Sequence, residues 1–314
     1  MKTISIIVPC YNEEQVINLY YKECIKCIDE IDGYGFEFVF VNDGSSDLTL
    51  QMIKQLGDID TRVKYISFSR NFGKEAGILA GLKNCKGDLV VVMDADLQHP
   101  PTLLRRMIEH IEDGYDSVST RRVARNGESK FRGYFSKKFY KMLNIISDVK
   151  IIEGATDYRM MTRQMVESVL EIVEYHRFSK GIFEWVGYDT KWIEYESEDR
   201  IAGESKWSFW HLFKYAIEGI VSFSTKPLKI ATVTGVGISS MSFAYFVYIL
   251  LRTLIQGKDI PGYASTICII TFLGGMQLIA TGILGEYIAR TYMEAKSRPN
   301  YFIKDSNLVS KKNK

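Results

Sequence analysis

The residues best suited to chemistry lie in Val90-Val91-Val92-Met93-Asp94-Ala95-Asp96-Leu97-Gln98-His99-Pro100-Pro101. Two carboxylates, an amide and an imidazole follow a short apolar run, and two prolines end it. The run is rich in β-branched residues and shows little polar alternation, which predicts a strand buried on both faces. In an open parallel sheet, ligands bind beyond the carboxyl ends of the strands. Asp94 and Asp96 fall at such an end, where the departing chain can aim both at one point. Two close carboxylates repel each other and stay ionised only beside a cation. Hard oxygen ligands suit Mg²⁺ or Mn²⁺, whose coordination is often completed by substrate phosphates. A plainer reading makes both aspartates turn and cap residues of a helix starting near Pro100.

The elements that must position this stretch can be read along the chain. Apolar segments at Ile4–Pro9, Phe36–Val41, Val63–Phe68, Leu89–Met93 and Tyr115–Thr120 read as strands, with helical patterns between them. Lys191–Glu196 reads as one more strand, and Arg163–Val173 as a helix. Strand and helix alternate, so the fold class is α/β with a mainly parallel sheet. The first five strands end in Asn12 with Glu13, Asn42 with Asp43, Arg70 with Asn71, Asp94 with Asp96, and Arg121 with Arg122. Polar ends at corresponding positions outline a crevice along one sheet edge. No G-x-G-x-x-G follows the first strand and no G-x-x-x-x-G-K-[ST] occurs, which disfavours dinucleotide and P-loop sites.

Composition narrows the classes. The 314 residues are 25% charged and 46% hydrophobic, enough for one large domain or two small ones. A net charge of +2 argues against a general nucleic-acid binder. Cys24-x-x-Cys27 sits in an amphipathic helical pattern without a second pair, so buried thiols are expected rather than zinc. Met1-Lys2 runs directly into a strand, so no secretory signal peptide is expected and the N-terminal part suits a reducing cytoplasm.

The C-terminal third differs. Residues 230–251 and 263–285 carry no charge, and each exceeds the roughly 20 residues that cross a bilayer core. Glycines at 235, 237, 274, 275, 282 and 285 are of the kind found where membrane helices pack closely. Lysines and arginines flank both runs on their outer sides, which places the N-terminal domain and the C-terminus in the cytoplasm. The expected division is a cytoplasmic domain over 1–206, an interfacial segment over 207–229, spans at 230–251 and 263–285 joined by an outer loop at 252–262, and a cytoplasmic tail over 286–314. Ahead of the spans, Phe135, Phe139, Met142, Leu143 and Ile146 alternate with lysines as in a basic amphipathic helix at a membrane surface. The polar segment Arg200-Ile201-Ala202-Gly203-Glu204-Ser205-Lys206-Trp207 reads as a mobile basic loop facing an anion.

Together, Val8-Pro9-Cys10-Tyr11-Asn12-Glu13-Glu14, Val41-Asn42-Asp43-Gly44-Ser45-Ser46-Asp47, Ser69-Arg70-Asn71-Phe72-Gly73-Lys74 and Met93–Pro101 resemble the family-2 glycosyltransferases with the A-type nucleotide-sugar-binding, Rossmann-like fold. Arg200-x-x-Gly203-x-Ser205-Lys206, followed by two spans, is similar to the polyprenyl-phosphate members, the group of dolichol-phosphate mannose synthase and the bactoprenol glucosyl transferases. The resemblance implies that Pro9, Tyr11, Glu13, Asp43, Lys74 and Asp94 hold the nucleotide. It implies that Asp94 and Asp96, with Gln98, bind Mg²⁺ or Mn²⁺. Arg121, Arg132, Ser136, Arg200 and Lys206 would meet the acceptor phosphate, and Asp157 would lie at the reacting centre, as base or as positioning group. Asp157-Tyr158-Arg159-Met160 departs conservatively from the family pattern.

The implied reaction moves a sugar, glucose from UDP-glucose by preference, onto undecaprenyl phosphate with inversion. The implied partners are the nucleotide diphosphate sugar, the polyprenyl phosphate and the bilayer, with self-association into a homo-oligomer compatible with the glycine-bearing spans. Two alternatives stand beside it. One is a processive polysaccharide synthase, disfavoured by the lack of Q-x-x-R-W and by only two spans. The other is a non-enzymatic, membrane-anchored nucleotide-sugar binder.

Overall fold

The computed structural model describes residues 1–123, 144, 152–196, 221, 224–256 and 262–308. Eight strands are seen: β1 (Lys2–Cys10), β2 (Tyr34–Asn42), β3 (Val63–Phe68), β4 (Leu89–Val92), β5 (Ser117–Arg122), β6 (Ala155–Thr162), β7 (Thr190–Tyr195) and β8 (Ile303–Ser306). The helices are α1 (Ile17–Ile28), α2 (Thr49–Ile59), α3 (Lys74–Asn84), α4 (Leu103–Glu112), α5 (Arg163–Glu171), α6 (Ser179–Trp185), α7 (Lys226–Gln256) and α8 (Tyr263–Ala295).

The strands form one sheet in the order β7-β5-β6-β4-β1-β2-β3-β8. β1 pairs in parallel with β2 and β4, and β2 with β3. β6 runs antiparallel between β4 and β5, so β5 points the same way as β1 to β4. The carboxyl ends of β1 to β5 therefore share one edge, the edge where the sequence outlines its crevice. Ile4, Ile6 and Val8 face a core with Tyr20, Phe38, Phe40 and Met107, whereas Ile7 faces Val39, Val41, Ile78, Val90, Val92 and Ile182. Burial on both faces explains why these strands are apolar throughout.

Three features differ from the sequence expectation. β5 lies two residues later than Tyr115–Thr120, because its ladder to β7 continues through Arg121↔Glu194 and Arg122↔Tyr195. Arg121 and Arg122 are thus the last strand residues rather than the loop beyond. β6 was not expected as a strand: Arg159 interrupts its apolar run, yet it is buried together with Tyr158, Met160 and Met161. Inside the presumed tail, Ile303–Ser306 pairs antiparallel with β3 and closes that edge of the sheet.

α7 and α8 are long and apolar enough to cross a membrane. Both outrun the charge-free segments. In α8, Arg290 pairs with Glu286 at 3.3 Å, so the charged extension keeps helical support. Its far end docks on the sheet domain: Glu294 accepts the Tyr175 amide at 2.8 Å, and Asn300 Nδ2 donates to the Glu174 carbonyl at 3.0 Å. The glycines at 235, 237, 274, 275, 282 and 285 meet open space, so they do not serve packing of α7 against α8 within one chain. The basic segment around 131–146 and most of 200–224 lie outside the described residues.

α3 lies against the sheet through a face of small residues. A Cβ at Gly81 would collide with Cγ2 of the buried Ile7. Gly81→Ala is therefore expected to destabilise the sheet domain by about 1–3 kcal/mol through overpacking. Thermal unfolding of the full-length chain in detergent, as a double-mutant cycle with Ile7→Ala, should show a favourable coupling between the two changes.

Candidate active site

The loops leaving β1, β2 and β3 are fastened to one another through side chains. Asn12 Oδ1 accepts the Ser46 amide at 2.9 Å, the Asn12 amide donates to Ser45 Oγ at 3.0 Å, and the Glu13 amide donates to Thr49 Oγ1 at 2.8 Å. Asp43 is buried, and its two oxygens accept the amides of Phe72 at 2.6 Å and Gly73 at 2.9 Å. Burial raises the Asp43 pKa, and these amides with Arg70 oppose the rise. Asp43 thus organises the loop ahead of α3, besides any contact it makes to a nucleoside. Gly44 has φ +65°, and a Cβ there would collide with the Arg70 backbone. Only glycine suits this close approach. Pro9 and Glu13 are half-buried along the same edge, and Tyr11 is exposed.

The β2–β3 loops thereby set the start of α3, and α3 opens on Lys74. Its ammonium lies 2.7 Å from Asp94 Oδ1 and 2.6 Å from Asp157 Oδ2. The antiparallel register Val92↔Arg159, continued two residues past β4, brings Asp94 beside Asp157. This pairing is invisible to motif reading, because 63 positions separate the two aspartates. Lys180 adds a second ammonium, 3.9 Å from Asp157 Oδ1, while donating to the Ala155 carbonyl at 3.1 Å. The position of Lys180 had no signal in the sequence, since it stands in no motif.

Charge in this cluster is well defined. Burial would raise the Asp157 pKa, but Lys74 and then Lys180 outweigh it and hold the carboxyl well below the usual carboxylate range. Burial would likewise lower the Lys74 pKa, and Asp157 and Asp94 reverse that shift. One helical turn holds a further link: Glu75 accepts the Ser179 amide at 3.0 Å and its hydroxyl as well, tying α3 to α6. Burial raises the Glu75 pKa.

Asp96 Oδ1 accepts the Gln98 amide at 3.1 Å, across a turn in which Leu97 has φ +57°. Among the described residues, no three His, Cys, Asp or Glu side chains gather as a complete metal site. Asp94, Asp96 and Gln98 are each partly exposed and offer two carboxylates and an amide carbonyl, a set of hard oxygens. That set fits Mg²⁺ or Mn²⁺, which typically take one or two carboxylates and complete their shell with waters and substrate phosphates. Arg121, the penultimate residue of β5, has its guanidinium on Glu194. Arg132, Ser136, Arg200 and Lys206 lie outside the described residues.

The Lys74 cluster makes a pH-dependent contribution to stability. A carboxyl whose pKa is depressed in the fold stabilises it above its unfolded value, about 3.9, and loses that contribution as pH falls through the folded value. Lys74→Met leaves Asp94 without its ammonium and Asp157 with only the more distant Lys180. Because 42% of the Lys74 side chain is exposed and water screens it, the expected loss at pH 7 is about 1–2 kcal/mol, below that of a fully buried pair. The gap between wild type and variant should narrow as pH falls below about 4, as thermal melts across a pH series would show.

A family model for glycosyl transferase family 2 matches residues 5–170, and one for the GtrB C-terminal hairpin matches residues 226–291. CsbB of Bacillus subtilis (strain 168) is 47% identical over 308 residues, covering 98% of this chain and 93% of that protein. The bactoprenol glucosyl transferase of Shigella phage SfX is 43% identical over 301 residues, covering 96% and 98%. The prophage bactoprenol glucosyl transferase homolog of Escherichia coli (strain K12) matches at the same identity and coverage. With both its sheet domain and its helical hairpin matched, this chain belongs to glycosyl transferase family 2 and is a glycosyltransferase.

Proposed function

We propose that the chain transfers glucose from UDP-glucose to undecaprenyl phosphate, with inversion, at the cytoplasmic face of a bacterial inner membrane. The observation that carries this reading is a junction. The carboxylates of Asp94 and Asp157 meet on Lys74 at the carboxyl edge of β1 to β4, and the same domain is bonded to the end of α8, a helix able to span a bilayer. A soluble acceptor would not require such an anchor. An acceptor with a membrane-embedded tail and a charged head would. The relatives named bactoprenol glucosyl transferases support both the lipid and the sugar.

In this reading α7 and α8 both cross the membrane, and the loop between them lies outside. The outward glycines of these helices are where a second copy would pack in a homo-oligomer. Pro9, Tyr11, Glu13 and Asp43 line the nucleoside side of the crevice. Lys74, released from Asp94, is within reach of the diphosphate. Asp94 and Asp96, with Gln98, would hold Mg²⁺ or Mn²⁺, and the chemistry so supplied is neutralisation of charge on the leaving nucleoside diphosphate. Arg121, Arg132, Ser136, Arg200 and Lys206 offset the repulsion between the acceptor phosphate and the anionic donor.

A phosphate oxygen attacks the anomeric carbon as its bond to the diphosphate breaks. The acceptor needs no base, because a phosphate monoester has its second pKa near about 6 and is largely ionised at neutral pH. Asp157, with its depressed pKa, is a poor base in any case. Its fixed negative charge serves instead beside the anomeric centre, where positive charge grows.

Turnover of a panel of nucleotide sugars by the full-length chain with undecaprenyl phosphate tests the proposal. UDP-glucose should give a glucosyl lipid phosphate, and chelation should abolish it reversibly. Asp94→Asn and Asp96→Asn should each lower kcat by about 10²-fold or more while the fold persists. A polymeric product would identify a processive synthase instead, and nucleotide-sugar binding without any transfer would identify a binder.

The pH profile separates the two roles of Asp157. The acid limb of kcat/KM should follow the acceptor phosphate near pH 6. Asp157→Asn should lower kcat without moving that limb, whereas a shifted limb would mean that Asp157 is the base.

A further inference from the structure

His99 follows the three expected metal-site residues, and neither the sequence motif nor the mechanism above assigns it a task. Its ring is 7% exposed. It stacks on Tyr158 at 5.2 Å with an interplanar angle of 20°, and the edge contact to Tyr195 is 6.1 Å. The ring is therefore held in one plane by two aromatic neighbours, and Tyr158 is itself anchored by its hydroxyl on the Pro100 carbonyl at 3.2 Å. Held in this way, Nδ1 points toward Asp94 Oδ2 at 4.0 Å. It is buried and has no hydrogen-bond partner among the described residues. A buried polar atom left in that condition costs about 1–3 kcal/mol, and native folds pair nearly all such atoms. A nearly buried ring, oriented from both sides and aimed at a carboxylate just beyond bonding distance, is a group whose partner arrives in another state of the site.

That state follows from the competition for Asp94. Both of its oxygens now lie within 2.8 Å of the Lys74 ammonium. A divalent cation on either oxygen would sit beside the Lys74 ammonium, and repulsion between the two cations favours Asp94 turning from Lys74. We propose that His99 is the positioning residue for Asp94: its Nδ1–H donates to the carboxylate oxygen that Lys74 gives up, fixing the other oxygen toward the cation. A movement of about 1 Å closes the present gap to ordinary hydrogen-bond length. Carboxylates that ligate metals are commonly held by such a second bond, and losing it weakens metal binding about 10–100-fold. The inference rests on the proposed metal role of Asp94.

The test reads metal affinity rather than turnover. Mn²⁺ is titrated into the full-length chain in detergent with saturating UDP, and free Mn²⁺ is followed by its electron paramagnetic resonance signal. His99→Asn places an amide N–H near the Nδ1 position, and His99→Gln places it near Nε2. His99→Phe keeps an aromatic ring with no donor. His99→Asn should bind Mn²⁺ within about threefold of wild type, while His99→Gln and His99→Phe should bind about 10–100-fold more weakly, with melting temperatures recorded for all three. Wild-type affinity in a folded His99→Phe would overturn the proposal. Equal weakening in His99→Asn and His99→Gln would also overturn it, because packing alone would then be at stake. If the wild-type chain binds no Mn²⁺ in the presence of UDP, the metal role of Asp94 fails first, and the inference falls with it.

Discussion

One ammonium between two carboxylates is the constraint on which the site depends. Asp94 and Asp157 come from neighbouring antiparallel strands, and the sheet register holds them side by side. Without a cation they would repel, and one would take up a proton. Lys74 supplies that cation from a third element, so the geometry requires that α3 start where it does. The start of α3 in turn depends on Asp43, whose carboxylate holds the Phe72 and Gly73 amides immediately before the helix. A chain of side-chain and backbone bonds thus runs from β2 through the β3 loop to the reacting edge.

That chain extends to the C-terminus. Ser69, at the head of the same loop, donates its amide to the Phe302 carbonyl at 3.0 Å, and Tyr301 stacks on Phe68 at 4.8 Å. Phe302 also lies against Phe72. Residues just past α8 are therefore part of the support of the loop that leads to Lys74. If the hairpin spans a bilayer as proposed, fixing its end at a sheet edge sets the distance between bilayer and crevice. For a substrate whose head must reach the crevice while its tail stays in lipid, that distance is a condition of catalysis, because reacting atoms must meet within about 3–3.5 Å.

Much of the sheet was legible in the sequence because burial on both faces leaves a plain mark, and β1 to β4 carry it. The parallel order, the polar strand ends and the two apolar helices followed from the same reasoning. β6 escaped because Arg159 interrupts its apolar run while remaining buried. Its guanidinium is accepted by Glu184 at 2.7 Å and lies over the rings of Phe183 and Trp192. No local pattern reveals that such an arginine is inside. β8 escaped because a four-residue strand with Ile303 as its one apolar residue, stabilised by a partner more than 230 residues earlier, has no signature of its own. Asp94 could be singled out from its neighbours. That Asp157 completes a pair with it, and that Lys74 lies between them, are facts of register and helix placement.

The cluster also explains why the site can be both stable and ready to change. In the present arrangement Lys74 is paired with both carboxylates, and Lys180 lies beside Asp157. In the proposed reaction, an incoming diphosphate offers Lys74 a better-matched anion and needs a cation of its own, and both demands act on Asp94. Exchange of partners then conserves the number of ion pairs at the edge, which keeps the free-energy difference between the two arrangements small. Asp157 need not move in that exchange, because Lys180 remains beside it. The proposed mechanism thus divides the labour: Asp94 is the carboxylate that changes partner, and Asp157 is the one whose charge stays in place while the bond to the sugar breaks.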